Sequence, residues 1–514
     1  MARSGPMLVM GGKLKGACVM RIALLSRCCG VLAGVAGLLV GALPAAAQRG
    51  EMSAERIWTN NCASCHGERG QGGGAGTRTL LKDDLFDQKH DRAFFDAIKN
   101  GVPENGMESF AATLSDPQMW ALVVHIRELQ SRERRERLGS PEAVQGVFTT
   151  KHGRHRIETV IDRKAGLDVP WSIDFLPDGR MLVAERPGTL RIFADGKLGM
   201  PVEGTPRVRN QGQGGLMDVA PHPEFAENGW IYLSYADELK EEGRSLGFTK
   251  VVRGRITDGK WNEEQTIFEV KPEHYSSGEV HFGCRLVFQK RDAGAGYFLF
   301  FSTGERGKME RAPDLKRPNG KIHRVTDDGK IPEDNPFAGD EAKERTVWSY
   351  GHRNPQGLVF DLEGRLLDTE HGPRGGDELN LIEKGRNYGW PKVCFGINYN
   401  DSAFTTPWPA EGSSIVMPLD RWLPSIGACG LDVARGAAFP EWKGDLFAGG
   451  LSGQNVDRFR LSGGKAPKVV EREEIVHGLG RVRDVVCGPE GAIYVVLNDP
   501  DKVVRLVPVG TAAK

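Results

Sequence analysis

Five consecutive residues near the N-terminus, Cys62-Ala63-Ser64-Cys65-His66, form a C-x-x-C-H pattern. In this pattern the two thiols bond covalently to haem vinyl groups, and the adjacent histidine reaches the iron. A zinc or redox-disulfide site would need a second Cys/His pair or a thioredoxin-like unit nearby in the sequence, and neither is present. The pattern therefore predicts a covalently bound haem c, attached through Cys62 and Cys65, with His66 as an iron ligand.

A low-spin haem also needs a sixth ligand, and a methionine thioether in that position raises the reduction potential. Met107 ends a glycine-containing segment, residues 100–107, which cannot form a packed helix and so leaves this side chain available to the iron. Met119 is the alternative, but it opens the amphipathic run 116–129, which favours a core position. We expect Met107 to be the ligand.

The segments around these residues have helical patterns, at residues 53–60, 92–99 and 116–138. The last begins with Ser115-Asp116-Pro117, a capping residue followed by proline in the first turn. Residues 48–138 therefore resemble a single-haem class I cytochrome c, a small all-α domain. Residues 139–157 contain several glycines and a proline and are interpreted as a linker.

The first 47 residues differ from the rest of the chain. A basic start, an apolar run at 31–43 and the sequence Pro44-Ala45-Ala46-Ala47 predict a secretory signal peptide at 1–47, cleaved after Ala47. An uncleaved anchor and a translation start at Met20 are the alternatives. We expect a periplasmic or secreted protein without stable membrane insertion after signal removal.

Composition restricts the class of the whole protein. Its 68 basic and 68 acidic residues cancel, which removes the basic excess expected of a nucleic-acid-binding protein. Glycine supplies 67 of 514 residues, well above the usual ~7%, and indicates a fold rich in turns. We therefore exclude nucleic acid as a partner.

From residue 158 onwards a strand–turn–strand unit recurs six times. The copies begin near residues Trp171, Gly214, Gly283, Pro355, Cys429 and Val482. Strand–turn–strand units at the spacing of these six starts are typical of propeller blades. A β-sandwich would not explain six such repeats. Residues 158–514 are thus predicted to form an all-β six-bladed β-propeller, closed by pairing of segments 157–161 and 502–507.

Four further cysteines are scattered over this region, at positions 284, 394, 429 and 487. In an oxidising compartment they could form disulfides in three pairings, or they could be buried thiols. The sequence leaves both open.

Polar residues gather at the ends of the first strands of several repeats, the positions that face a propeller's central channel. They are Gln213, His281, Arg353, Asn354, Gly372, Pro373, Glu378, Arg481 and Arg483. A single histidine or arginine is usually a structural residue whose hydrogen bonds are all made within the protein. Polar residues that converge from five repeats favour a binding or catalytic site instead.

Four sequence runs then carry a family resemblance. They are HFGCRLVF at 281–288, GHRNPQGL at 351–358, EHGPRGGDELN at 370–380 and NYGWP at 387–391. These runs resemble the signatures of the soluble glucose, sorbosone and aldose sugar dehydrogenases that depend on pyrroloquinoline quinone (PQQ), in order over residues 158–508. The resemblance implies oxidation of aldoses at C1 to lactones, with PQQ and Ca²⁺ bound on the channel.

The resemblance also implies residue roles. His281 matches the general base, and Arg353 matches the residue that stabilises charge on the quinone oxygen. Cofactor-binding positions are matched by Gln213, Arg353, Asn354, Tyr399, Arg481 and Arg483. Backbone carbonyls of Gly372 and Pro373 match ligands of the PQQ-bound Ca²⁺, and Glu378 with the carbonyl of Tyr388 matches a further Ca²⁺ site.

Two positions depart from the family pattern. Ser452 stands where members carry a lysine that meets the cofactor, so Lys443 or another cation would have to replace it. Val280 stands where the glucose enzymes have aspartate, which makes Glu305 the candidate carboxylate for orienting His281.

We expect a PQQ- and Ca²⁺-dependent sugar dehydrogenase whose electrons pass to the fused haem and then to a downstream redox acceptor. Two alternatives stay open. One is a catalytically inactive, ligand-binding propeller carrying a cytochrome c electron-transfer domain. The other is a Ca²⁺-dependent lactonase, against which the channel arginines argue.

Overall fold

A computed structural model describes residues 53–73, 78–292, 296–403 and 413–510 of the 514-residue chain. The predicted signal peptide at 1–47 lies outside these residues. Within the described ranges, no helix combines the length and apolar character that a membrane crossing requires.

The N-terminal region is helical. Its helices are α1 (Ala54–Asn61), α2 (Ala63–His66), α3 (Asp91–Asn100) and α4 (Asp116–Leu138). The Ser53 hydroxyl caps α1, and Ser115 forms a reciprocal capping box with Gln118 at the start of α4, which satisfies backbone N–H groups that a helix leaves unpaired. The three predicted helices are confirmed, with ends within one residue of those expected.

The chain then forms six antiparallel sheets. It begins with β1 (Phe148–Thr150) and β2 (Gly153–Ile161). Blade 1 contains β3 (Pro170–Phe175), β4 (Met181–Glu185), β5 (Thr189–Ala194) and β6 (Lys197–Leu198). Blade 2 contains β7 (Leu216–Pro221), a short helix α5 (Phe225–Asn228), β8 (Ile231–Glu241), β9 (Arg244–Thr257) and β10 (Lys260–Phe268). Blade 3 contains β11 (Leu286–Lys290), β12 (Tyr297–Thr303), β13 (Lys321–Thr326) and β14 (Val347–Tyr350).

The remaining blades follow the same order. Blade 4 contains β15 (Pro355–Phe360), β16 (Leu366–Glu370), β17 (Asp377–Leu381) and β18 (Asp420–Trp422). Blade 5 contains β19 (Ala428–Val433), β20 (Leu446–Gly450), β21 (Asn455–Leu461) and β22 (Val469–His477). Blade 6 contains β23 (Arg481–Cys487), β24 (Ile493–Asn498) and β25 (Lys502–Pro508). The predicted six-bladed β-propeller is confirmed.

Blade 6 also closes the ring. Strand β2 pairs antiparallel with β25, so that Ile157 lies opposite Leu506, as predicted. The predicted linker at 139–157 is too long, because β1 and the start of β2 already belong to this sheet in the order β1-β2-β25-β24-β23. The glycine that suggested a linker, Gly153, instead ends the tight turn between β1 and β2.

A buried charge network joins four blades at the centre of the propeller. Arg285, 6% exposed, donates to Asp218 and Asp484 at 2.9 Å each and to the carbonyls of Gln356 and Arg483. Buried charges are stable only when paired and hydrogen-bonded. This network therefore fixes the blades relative to one another beneath the predicted site.

The four propeller cysteines are thiols and form no disulfide in this structure. Cys284, Cys394 and Cys429 are buried, and Cys487 is half-buried. Burial raises the pKa of the Cys394 thiol to about 12, so this group stays protonated and inert at neutral pH.

Candidate active site

The predicted propeller residues lie at one end of the blades. The first strand of each blade starts at this end, and the second strand of the blade runs antiparallel to it and ends there. Residues that precede or open first strands are Gln213, His281, Arg353, Asn354 and Arg481. Residues that follow second strands are Glu305, Gly372, Pro373 and Ser452. The fold therefore places both groups around one channel mouth.

His281 occupies the turn before β11 with a φ of 55°, a left-handed conformation that residues other than glycine rarely adopt. Its backbone N–H donates to the side-chain oxygen of Gln213 at 2.8 Å, which holds the turn. Nδ1 of the ring is hydrogen-bonded to Oε1 of Glu305, whose side chain is 1% exposed. Within the described chain no protein group engages Nε2, so this nitrogen is available to a ligand.

Burial lowers the pKa of His281 below its usual range, against the Glu305 hydrogen bond, which raises it. The imidazole is therefore neutral at pH 7. In the tautomer in which Nδ1–H donates a hydrogen bond to Glu305, the lone pair lies on Nε2. The pair can accept a proton from a bound hydroxyl group, which is the chemistry of a general base.

Arg353 lies next to this pair and is 6% exposed. Its guanidinium donates to the His371 carbonyl and the Tyr399 hydroxyl, both at 3.3 Å, while its buried Nε has no partner among the residues that the structure describes. The carbonyl of Arg353 accepts the backbone N–H of Glu305 at 3.0 Å. An arginine that is held by two neighbours and still has an N–H group available can bind an anionic or carbonyl oxygen.

Asn354 is buried and uses its side-chain oxygen within the protein. This oxygen accepts the backbone N–H of Gly283 at 3.0 Å, which holds the turn that carries His281. Tyr399, in contrast, is 73% exposed and reaches the site through its hydroxyl group alone. The structure thus places Asn354 beside the turn that carries His281, and Tyr399 beside Arg353.

Gly372 and Pro373 form the turn after β16. The Gly372 N–H donates to Asp377 at 2.9 Å, and a Cβ at position 372 would lie 2.3 Å from the Gly376 carbonyl oxygen. Only glycine fits this position. The Pro373 carbonyl receives a 3.4 Å contact from the Ser425 hydroxyl. The turn therefore presents carbonyl oxygens, which are the ligand type that Ca²⁺ prefers.

Glu378 and Tyr388 line a small cavity that also contacts Arg353, Glu370 and Gly372. Burial raises the pKa of the Glu378 carboxyl, and the nearby Glu370 carboxylate raises it further. Two carboxylates in one buried cavity repel each other, and a divalent cation would relieve this repulsion. The donor set therefore fits a hard metal ion.

A second acidic group behind this cavity was not predicted. His352, Asp368 and Glu370 have ligand-type atoms within 4.8 Å of one another, and all three are buried. Glu370 is satisfied by His352 at 3.0 Å and by the Arg353 N–H at 2.7 Å. Side chains alternate between the two faces of a strand, so Asp368 and Glu370 of β16 lie on the same face. The sequence shows these two positions only as polar residues, which is why the group was not predicted.

Arg481 and Arg483 lie on β23. Arg483 is 9% exposed and its guanidinium stacks on Trp171, 3.7 Å from the ring centroid. Within the described ranges, buried Trp171 Nε1 and His371 Nε2 have no partner, and sequence reasoning assigned neither residue a role. An unpaired indole N–H beside cations is what an acidic, carbonyl-rich ligand would satisfy.

The missing family lysine is not replaced by Lys443. That residue precedes β20 and lies at the far end of blade 5, because β20 runs antiparallel to β19 from Leu446 towards the site. Arg186 follows β4 and lies at the site end. Its guanidinium donates to the Gly212 carbonyl at 2.7 Å, and its buried Nε has no partner in the described part of the chain.

The predicted haem residues lie in the helical region. Helix α2 begins after Cys62 and ends with His66, and Cys65 is exposed on it. Burial lowers the pKa of His66, which favours the neutral imidazole that binds iron. Met107 is half-buried at the edge of the helical core, whereas Met119 is 1% exposed within it. This donor set fits a covalently attached haem.

Two family profiles match the chain. The Glucose / Sorbosone dehydrogenase family matches residues 167–505. The family described as cytochrome C oxidase, cbb3-type, subunit III, matches residues 50–126, which include the C-x-x-C-H pattern. The predicted cytochrome c domain and the predicted dehydrogenase family are both confirmed.

Known proteins agree with the profiles. Aldose sugar dehydrogenase YliI of Escherichia coli K12 is 41% identical over 342 residues, which span 65% of this chain and 88% of the relative. The crystal structure of the soluble E. coli aldose sugar dehydrogenase in its apo form is similar with a TM-score of 0.61, at 36% identity, over 69% of this chain and 100% of that one.

A third similar structure is the PQQ-bound aldose sugar dehydrogenase of Streptomyces coelicolor. It has a TM-score of 0.55 and 26% identity, over 69% of this chain and 98% of that one. This chain therefore belongs to the glucose/sorbosone dehydrogenase family of PQQ-dependent sugar oxidoreductases and carries a cytochrome c domain before its propeller.

Proposed function

We propose that the protein oxidises aldose-type sugars at C1 to lactones with PQQ and Ca²⁺, and passes the electrons to its own haem c. The observation that carries this proposal is the His281–Glu305 pair at a channel mouth lined with arginines. Such a pair removes a hydroxyl proton, and the surrounding cations suit an anionic cofactor.

His281 acts as the general base. Oxidation at C1 breaks one O–H and one C–H bond, and the lactone carbonyl forms as a proton and a hydride leave. The proton goes to Nε2 of His281, since Nδ1 is held by Glu305. When bound, PQQ supplies the acceptor for the hydride, and with it for both electrons.

The cofactor carboxylates and carbonyls are bound by Gln213, Arg353, Asn354, Tyr399, Arg481 and Arg483. Arg353, whose Nε has no partner among the described residues, would donate to a quinone oxygen and so stabilise negative charge there. We assign Arg186 to the cationic contact that Ser452 does not provide, because its guanidinium lies at the site end of blade 1.

Calcium would be held at two places. Carbonyls of Gly372 and Pro373 would hold an ion beside PQQ, where it would supply Lewis-acid chemistry. Glu378 with the Tyr388 carbonyl would hold a further ion, which would stabilise the fold around the repelling carboxylates of Glu378 and Glu370.

The haem is attached through Cys62 and Cys65 and its iron is bound by His66 and Met107. We assign residues 48–138 to this domain, residues 1–47 to a signal peptide, and the protein to the periplasm or the extracellular space. A downstream redox acceptor removes the electrons one at a time, as a haem delivers them.

Steady-state oxidation of an aldose panel, with an artificial dye as acceptor, tests the sugar chemistry. Protein reconstituted with PQQ and Ca²⁺ should reduce the dye with aldoses, and His281→Gln should lose about 10²- to 10⁴-fold in kcat while PQQ binding by calorimetry is retained. Unaltered turnover in His281→Gln removes His281 from the mechanism. Absence of PQQ uptake by the wild type contradicts the proposal and supports a binding propeller.

A further inference from the structure

Helix α4 of the cytochrome domain packs directly on the propeller. One hydrophobic cluster contains its residues Val123 and Val124 together with Val393, Phe395 and Ile397 from the long β17–β18 connection. All five side chains are at most 6% exposed. Burial of a shared apolar core on both sides is typical of a permanent interface rather than a transient one.

A buried ion network holds the same interface. Asp91 of the cytochrome domain, 1% exposed, binds Arg127 of α4 at 2.6 Å and Arg421 of β18 at 2.5 Å. Gln88 adds hydrogen bonds to the Asp420 side chain and the Arg421 carbonyl, both at 2.7 Å. Buried charge pairs are directional and define one orientation of the two surfaces.

Helix α4 also contacts the end of the turn proposed to bind the PQQ-bound Ca²⁺. Arg374 follows Pro373 directly, and its guanidinium forms a two-point pair with the carboxylate of Glu128 on α4, both contacts at 3.2 Å. Arg374 also pairs with Asp401. At Gly375 an added Cβ would lie 3.4 Å from Val124, so helix and turn are in van der Waals contact.

Contiguous side chains continue from Glu128 to the haem-binding helix. His125 Nδ1 lies 3.9 Å from the Glu128 carboxylate. The His125 ring lies 5.5 Å from Trp58, and the Trp58 ring lies 6.1 Å from His66. Trp58 is 3% exposed, so these rings form a packed connection without intervening solvent.

We propose that the cytochrome domain is docked in this one orientation, and that Glu128 and Arg374 are positioning residues for electron transfer from the propeller cofactor to the haem. This inference rests on the function proposed above. In a docked pair the electron transfer is a first-order step over a fixed distance between the propeller cofactor and the haem. A domain moving on a linker would meet the cofactor only as often as its effective concentration allows.

Charge reversal tests the inference in the full-length holoenzyme. Glu128→Arg should slow single-turnover reduction of the haem by sugar about tenfold or more, since like charges replace the pair. Dye-linked kcat and KM for the sugar should stay unchanged, as should the haem midpoint potential. The swap Glu128→Arg with Arg374→Glu should restore haem reduction to within about threefold of the wild-type rate, because the pair is rebuilt with reversed sign.

A matched control is Arg135→Gln. Arg135 also joins α4 to the propeller, through Glu474 of β22 at 2.8 Å, but this pair is exposed and does not touch the cofactor turn. Exposed pairs contribute little, so the haem-reduction rate should stay within about twofold of the wild type. An equal loss in this control would show general loosening and would overturn the specific role of Glu128.

Hydrogen exchange provides a readout without turnover. In the wild-type chain, amides of α4 and of residues 393–403 should be protected together, and Glu128→Arg should raise exchange in both segments while the swap restores protection. Unchanged exchange and unchanged haem reduction in Glu128→Arg would overturn the proposal. If the wild type fails to oxidise sugar with dye, the proposed function fails instead, and the exchange result still decides the docking.

Discussion

Glu305 holds the imidazole of His281 by Nδ1, from the end of a strand that neighbours the strand carrying the base. The carboxylate reaches the ring across the turn that precedes β11, while the Arg353 carbonyl fixes the Glu305 backbone. The orientation of the base therefore depends on two adjacent blades, and it can be tested separately from the base itself.

Glu305→Gln should lower kcat by roughly 10- to 100-fold with little change in KM, because the amide no longer stabilises the imidazolium formed in the transition state. Dye-linked kinetics of the reconstituted protein measure this effect. The exposed neighbour Glu310→Gln is the control and should match the wild type. Equal activity of the two variants would show that Glu305 does not contribute to catalysis.

The pH profile should show an acid limb below pH 6.5. Burial lowers the pKa of His281, and the base works only when deprotonated, so kcat/KM is retained above this pKa and falls as the pH drops through it. The hydrogen bond to Glu305 raises the same pKa, and Glu305→Gln should therefore shift the limb to lower pH. A limb above pH 6.5 would be inconsistent with this environment.

Substitutions of the two methionines of the cytochrome domain should have different effects on the haem. Met107→Ala should keep the covalent haem but lower its midpoint potential and change its low-spin spectrum, since a thioether ligand is lost. Met119→Ala should leave the spectrum unchanged and destabilise the domain by about 2–5 kcal/mol, the cost of a cavity at a buried methionine. The reverse assignment of phenotypes would make Met119 the ligand.

Calcium should stabilise the propeller through Glu378. Added Ca²⁺ should raise the Tm of wild-type protein, because binding to the folded state shifts unfolding and relieves the repulsion from Glu370. Glu378→Gln should lose most of this rise, while the exposed Glu383→Gln should keep it. Differential scanning calorimetry with and without a chelator measures both, and an equal rise in all three proteins would place the ion elsewhere.

Local sequence patterns predicted the fold well. Strand–turn–strand patterns with glycine turns predicted six repeats, and pairing of segments 157–161 and 502–507 was expected from ring closure. The predicted end of the linker, at residue 157, lies inside β2, because glycines occur in hairpin turns as well as in linkers. Most site residues came from family motifs, whose positions are retained by the blade geometry.

Contacts between distant segments could not be predicted. Glu128 and Arg374 are 246 positions apart in the sequence, and nothing in either local pattern indicates the other. The same applies to Trp171 beneath Arg483, since a core tryptophan and a site tryptophan have the same strand pattern. These relationships arise from how blades and helices pack, which single-sequence periodicity does not encode.

Anaerobic reduction of the haem by sugar tests the central claim most directly. Holoenzyme with PQQ and Ca²⁺ is mixed with an aldose, without dye, and the haem absorption band is followed in a stopped-flow instrument. The account predicts full reduction at a rate independent of protein concentration, and a rate at least about 10²-fold lower in His281→Gln. A haem that stays oxidised while dye-linked oxidation proceeds, or a rate that rises with protein concentration, would contradict it.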